Sequence, residues 1–403
     1  MPVPMTRPPA ILLGGDTNAL SIARSLGAAG VRVYTIGVAP FVERSKWVTP
    51  LPVPRQGRNG RRPEDIWAEW LLGPEAEHLA GSVVMATSDV GITAIAHHRP
   101  ALLGRYRLDV SDVDAQLAML DKLATYEAAR AGGVPTPLFW RVDSAEDLQK
   151  WRDELVYPLI VKPLLSHEYK EKFPGVTKFR LVHDWEELQH GYRELADAGL
   201  AVMLVEKIPG GDELLCSYTT YIDETGTPTF DYTKRMVRRN PPNEGLGCYH
   251  VTDDVPEVKE LSLQLIKHTG LRGLAVIEFV RDLRDGRLKL IECNARFSAA
   301  LPLTVASGLD LPLHVYLRIL GERHELPHTY PYGKRLLYPI DDFRSFLALR
   351  RAGKLTFGQW VRSLMHPQTF PVWSPRDPMP AFARGFQRAR SGLRKFVTGR
   401  LGR

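Results

Sequence analysis

Two apolar stretches, Ala275-Val-Ile-Glu278-Phe and Leu290-Ile-Glu292-Cys-Asn294-Ala-Arg296, decide how this chain reads. Asp285-Gly286 between them suits a tight reversal, so residues 274–281 and 287–293 are predicted to form a β-hairpin. Side chains alternate along a strand, which puts Glu292 and Asn294 on one face and lets Glu278 meet them from the antiparallel partner. Two carboxylates and an amide oxygen suit a hard cation, magnesium with manganese as a substitute, which leaves its other positions to water and phosphate oxygens. Carboxylates in an apolar hairpin would be costly without such a cation. The plainer alternative, solvated charges on a surface hairpin, fits the apolar neighbours poorly.

Upstream, the chain opens with a βαβ pattern. An apolar run at 10–13 ends in Gly14-Gly15, a helical pattern follows at 19–26, and 31–36 reads as a second strand. That order predicts a parallel sheet of Rossmann type. Gly14-Gly15 is not a dinucleotide fingerprint. A further strand at 82–87 ends in Ser88-Asp89, where a ligand could sit or Asp89 could cap the helix that follows. The Pro/Arg-rich stretch 51–63 reads as a surface loop, 115–131 as one helix, and Gly132-Gly133 with Val134-Pro-Thr-Pro137 as a domain boundary. Strands are expected at 157–162, 201–207, 214–222 and 228–236, the last two as a meander, with helices at 185–198 and 255–269.

Glu292-Cys-Asn294-Ala-Arg296 resembles the metal-binding Glu-x-Asn-x-Arg of the ATP-grasp superfamily, with Glu278 where the first metal carboxylate would stand. The resemblance covers residues 10 to 320 and implies an α/β chain in three parts. These are an N-terminal Rossmann-like domain (1–115), an ATP-grasp domain (116–325) of two α+β subdomains meeting near 206, and a basic helical extension (326–403). It further implies that Arg296 contacts the transferring phosphoryl group and that Lys122 and Lys162 clamp the nucleotide. Lys162 ends an apolar strand, from which an ammonium can enter a cleft while its stem stays packed. Glu206, Lys207 and Ile208 resemble the hinge whose backbone reads adenine, and Glu213 falls where the ribose-binding carboxylate lies.

Lys234, Arg235 and Arg238 alternate along a strand that could hold the γ-phosphate or a carboxylate substrate, Lys234 as a nucleotide contact and Arg235 in the chemistry. A solvated basic edge is the alternative. Where many family members have a glycine-rich phosphate loop, residues 164–175 are bulky and charged, so closure there would rely on His167, Lys170 or Lys172. That feature, together with Lys178-Phe and Gly245-Leu-Gly247, looks like the carboxylate–amine ligase branch, which includes D-aspartate ligases. The run Leu301-Pro-Leu-Thr304 is expected to begin a helix lining the acceptor pocket.

The resemblance implies that MgATP activates a carboxylate as an acyl phosphate, which an amine then captures. His167 or Glu244 could take the amine proton. Alternatives are a carboxylase acting through carboxyphosphate and a nucleotide-binding protein without turnover. Partners would be small-molecule carboxylates and amines, with a homodimer left open.

The 403 residues, 44% apolar and 25% charged, suffice for two or three domains. No apolar stretch is long enough to cross a membrane and Met1 to Ala10 lacks a secretory core, so a cytoplasmic protein is expected. Cys216, Cys248 and Cys293 suggest neither a disulfide framework nor a zinc site. The net charge of +7 arises in residues 334–403, which carry fifteen Lys/Arg against three Asp/Glu, so it does not point to nucleic acid. Within that segment Phe382, Phe386, Ala389, Leu393 and Val397 recur at helical spacing among arginines. Such a basic amphipathic helix can meet an anionic membrane or an acidic partner, or pack on its own domain.

Overall fold

The structure is a computed structural model that describes residues 7–53, 61–165, 168–169, 172–173 and 179–401. It divides into two compact units, each assembled from separated parts of the chain. The first comprises residues 1–109, 297–327 and 369–403; the second comprises residues 110–296 and 328–368. Residues 297–327 thus group with the N-terminal part of the chain, and residues 328–368 with the second unit.

In the first unit β1 (Ala10–Leu13), β2 (Val33–Ile36), β3 (Val48–Pro50) and β4 (Val83–Ala86) form a parallel sheet in the order β3-β2-β1-β4. β1 is wholly buried, as its unbroken apolar run requires when both faces of a sheet are covered. The turn after it uses Gly14 at φ 77°, where a Cβ would lie 2.1 Å from the Ser88 hydroxyl, so only glycine fits. Ser88, not Asp89, caps the helix Asp89–Leu103: its backbone is extended and its hydroxyl accepts from the Gly91 amide.

The second unit holds two antiparallel sheets. β5 (Phe139–Val142), β6 (Leu159–Pro163), β7 (Arg180–Val182) and β8 (Val202–Glu206) make a four-stranded sheet in the order β5-β8-β6-β7. The other sheet has seven strands, β9 (Leu215–Ile222), β10 (Tyr232–Asn240), β11 (Leu246–Thr252), β12 (Gly273–Arg281), β13 (Leu288–Asn294), β14 (Arg335–Leu337) and β15 (Gln368–Thr369). Their order is β13-β12-β9-β10-β11-β14-β15. The helix expected over 115–131 is two helices, Val113–Leu120 and Lys122–Ala131. Asp121 separates them because its carboxylate caps the second, accepting from the amides of Leu123 and Ala124.

All three cysteines are buried free thiols, and burial pushes Cys216 and Cys293 up to about 12, which makes them inert core residues.

Candidate functional site

The seven-stranded sheet builds a polar row from register alone. Glu292 pairs with Glu278, Glu278 with Ser217, Ser217 with Lys234, and Lys234 with Thr252. Directly opposed residues on neighbouring strands project from the same face. One face of β13, β12, β9 and β10 therefore carries two carboxylates, a hydroxyl and an ammonium side by side. Asn294 shares this face, and its amide donates to Glu292 Oε1 at 2.9 Å. Arg296 continues the alternation of burial that runs through Glu292 and Asn294.

Lys234 is buried. Desolvation lowers its pKa, and the charges of Glu278 and Glu292 oppose that shift, so the ammonium lies within electrostatic reach of both glutamates. The Ser217 hydroxyl, between Lys234 and Glu278, is buried without a hydrogen-bond partner. A buried hydroxyl in that condition can still donate to, or accept from, a polar group brought beside it.

The row continues in apolar form toward β8. Ile208, Leu215, Met236 and Val280 are buried together, with Leu214 and Ile291 packed against them. Ile291 is an extra residue in β13, because Glu278 faces Glu292 while Phe279 faces Leu290. Such a bulge re-aims the backbone beside it. Here the Ile291 carbonyl accepts from Lys162 Nζ at 3.2 Å and from the Tyr126 hydroxyl at 3.1 Å. Lys162 thus leaves the four-stranded sheet and reaches the strand that carries Glu292. Its ammonium also lies 5.3 Å from the Tyr126 ring centre. Lys122, first residue of its helix, donates from Nζ to the Leu164 carbonyl at 3.0 Å, which holds it at the exit of β6.

The hinge after β8 is fixed by its side chains. Buried Glu206 accepts from the Leu138 amide at 3.1 Å and pairs with Arg284 at 2.5 Å, tying β8 to the turn of the β12–β13 hairpin. The Lys207 amide donates to the Pro158 carbonyl at 3.0 Å. Burial lowers the Lys207 pKa, with Arg239 adding to the effect. A cavity of about 350 Å³ runs along this hinge, lined by Tyr157, Pro158, Glu206, Lys207, Ile208 and Glu244 among others.

Not every candidate joins this assembly. Arg235 belongs to the row Phe279–Cys216–Arg235–Val251, one residue out of phase with Lys234, and leaves the opposite face, where it pairs with Asp253. Neighbours on a strand point oppositely, so Arg235 does not share the face that carries Lys234. Arg238 is buried against Asp342 at 2.6 Å and over the Tyr249 ring, a structural placement. Glu213 is exposed on the 3-10 turn Asp212–Leu214 and is not among the residues lining the hinge cavity; the carboxylate buried in that turn is Asp212, which accepts from Arg239 and Asn243. Lys172 donates to the Ala198 carbonyl, and His167, Lys170 and Lys178 lie outside the described residues.

Two residues on the polar face escaped the sequence reading. Ser217 is invisible without the register that sets it between Lys234 and Glu278. His250 lies opposite Met236 on β11, a strand not expected from the sequence. Burial and the charge of Lys234 hold its pKa down, to about 3, against a bond to the Gly247 backbone, so the ring is neutral. Its Nδ1 is buried without a hydrogen-bond partner. A Cβ at residue 247 would lie 2.3 Å from the His250 ring, so the glycine there makes room for it.

No family model matches the chain. The D-aspartate ligase of Enterococcus faecium (strain Aus0004) is 24% identical over 318 residues, which are 75% of this chain and 74% of that protein. The D-alanine–D-alanine ligase B of Chromobacterium violaceum is 28% identical over 193 residues, 45% of this chain and only 59% of that protein. Among solved structures, N5-carboxyaminoimidazole synthetase from Staphylococcus aureus complexed with ADP aligns with a TM-score of 0.62 at 15% identity, covering 82% of this chain and 81% of that one. This last likeness concerns the fold. The curated relatives and the structural neighbour together indicate the ATP-grasp superfamily. Both of these curated relatives are ligases by name.

Proposed function

We propose that this protein is an ATP-dependent carboxylate–amine ligase whose carboxylate substrate is amino-acid-like, with the polar row of the seven-stranded sheet as its phosphoryl-transfer centre. The observation that carries this reading is the facing pair Glu278 and Glu292, with Asn294 bonded to Glu292 and a partnerless buried Ser217 hydroxyl in the same row.

That oxygen-rich set, enclosed by apolar strands, fits a hard divalent cation. No group of three or more His, Cys, Asp or Glu is placed to hold a metal ion among the described residues, so a cation here would rest on two carboxylates and an amide oxygen. Glu278, Glu292 and Asn294 would hold magnesium, or manganese in its place, which supplies charge neutralisation on the phosphate oxygens of ATP. Lys162, Lys122 and Lys234 would bind phosphate oxygens as compact cations. The backbone of Glu206, Lys207 and Ile208 would read the adenine edge, with Met236, Val280 and Ile291 as its apolar walls and Glu213 toward the ribose.

In the reaction, the substrate carboxylate attacks the γ-phosphorus, the bond to the bridging oxygen breaks, and ADP leaves with an acyl phosphate formed. Arg296 and Lys162 stabilise the charge on the transferring group. The amine then attacks the acyl carbon, phosphate departs, and an amide remains. Exclusion of water protects the acyl phosphate from hydrolysis. Arg235 has no part in this sequence.

The test is a screen of amino acids and small carboxylates in pairs with amines, read as magnesium-dependent release of ADP and phosphate with stoichiometric amide. Turnover that needs bicarbonate and no amine would instead indicate a carboxylase, and nucleotide binding without turnover a regulatory role. We also propose small-molecule partners and a cytoplasmic location, with a homodimer left open. The helix Met379–Leu401, with Phe382 and Phe386 exposed and Arg384 stacked on Phe41, would serve as a contact for an anionic surface or acidic partner. No helix among the described residues is long and apolar enough to cross a membrane.

A further inference from the structure

The helices Pro339–Arg351 and Phe357–Leu364 carry nothing the catalytic reading uses, yet they are firmly built. A capping box of Thr356 and Gln359 starts the second helix. Trp360 fastens it to the first: its ring stacks on Phe346 at 4.6 Å and its indole N–H donates to Asp342, which holds Arg238. A helix fixed in this way is normally fixed over a core. This one buries no residue at all.

What it turns outward is apolar. Phe357, Val361 and Met365, at four-residue spacing and so on one stripe, are 57%, 37% and 75% exposed. Phe343 on the first helix adjoins Trp360 at 5.8 Å and is also exposed, as is Ile340 one turn before it. Around this strip basic charge dominates, with Asp341 the one partly exposed acid, 3.9 Å from Arg344. From residue 343 to 366 there are five basic residues, Arg344, Arg350, Arg351, Lys354 and Arg362, and no acidic one.

We infer that the 339–365 helical hairpin is a docking surface for an anionic lipid membrane, with Phe343, Phe357, Val361 and Met365 entering the interface and the five cations meeting lipid headgroups. An aromatic and aliphatic stripe bordered by arginine and lysine is the pattern that lies in the plane of a charged bilayer surface. A second copy of the chain fits less well, because a two-fold contact would bring the same excess of cations together. The inference does not depend on the ligase reading, and it concerns a different element from the C-terminal helix.

The test is flotation of the full chain with vesicles of phosphatidylcholine alone and of phosphatidylcholine mixed with phosphatidylglycerol. Binding is expected to the anionic vesicles only and to fall steeply with salt. The triple variant Phe357→Ser, Val361→Ser, Met365→Ser should weaken it at least about tenfold through lost apolar burial. Arg344→Glu with Arg362→Glu should do at least as much, since each cation near the surface contributes about fivefold. All five side chains are exposed, and circular dichroism of the variants reports their folding. Binding unchanged by both variants, equal binding to neutral vesicles, or loss of binding only on Arg388→Glu with Arg390→Glu in the C-terminal helix would overturn the proposal. So would concentration-dependent self-association that the triple variant abolishes.

Discussion

The two faces of the seven-stranded sheet carry similar side chains and treat them differently. On one, Arg235 pairs with Asp253, Arg238 with Asp342, and Lys259 with Asp231, which also accepts from the Tyr218 hydroxyl. These charges have dedicated neighbours, although Arg335, in the same row as Arg235, keeps a buried Nε without one. On the other, Glu278, Glu292 and Lys234 share a row with Ser217, and the Ser217 hydroxyl and His250 Nδ1 are buried without partners. Charges serving only the fold are closed locally because an unmatched one costs stability. A face that keeps unmatched polar atoms is arranged for something that arrives later.

The largest effect should come from the open face. Glu292→Gln, which keeps the shape and removes a charge, is expected to lower magnesium-dependent ADP release about a thousandfold while thermal unfolding shows an intact fold. A mere surface hairpin would leave turnover unchanged. The closed face should respond in stability instead. Asp342→Ala strands a buried guanidinium and should cost about 3 to 5 kcal/mol in denaturant unfolding, with turnover per folded molecule unaltered.

Adjacent residues on β10 sharpen the contrast. Lys234→Ala should reduce turnover about a hundredfold, whereas Arg235→Ala, on the face that pairs its charges, should stay within about twofold. Equal losses would mean that the register does not sort these residues by role.

The smallest effect is one of pH. His250 is held neutral in the fold with a pKa of about 3, while the unfolded chain takes up its proton near the ordinary value of 6.5. Below that value the unfolded state therefore binds more protons than the native one. Stability contributed by neutral His250 is present above about pH 6.5 and declines as pH falls toward 3, at up to about 1.4 kcal/mol per pH unit. His250→Gln should flatten this acid slope, measured by denaturant unfolding across the window.

Local chemistry made much of this arrangement legible in the sequence. The β12–β13 hairpin, its Asp-Gly turn and the shared face of Glu292 and Asn294 follow from alternation and turn preference, as does the opening βαβ pattern. What depended on register did not. Arg235 and Lys234 look equivalent until pairing with Cys216 and Ser217 separates their faces. The bulge at Ile291, which presents a carbonyl to Lys162, has no composition of its own. β11 was missed because Gly245 and Gly247 interrupt any strand-like pattern there, although Gly247 clears space for a buried histidine. The break at Asp121 was hidden inside one continuous helical pattern, where capping outweighed propensity.

The convergence of Glu278, Glu292 and Asn294 on a divalent ion beside a nucleotide is tested most directly by electron paramagnetic resonance titration of manganese into the protein with ADP. One ion per chain should bind in a nucleotide-dependent manner to the wild type and be lost in Glu278→Gln with Glu292→Gln. Undiminished, nucleotide-dependent manganese binding in that double variant would contradict the account.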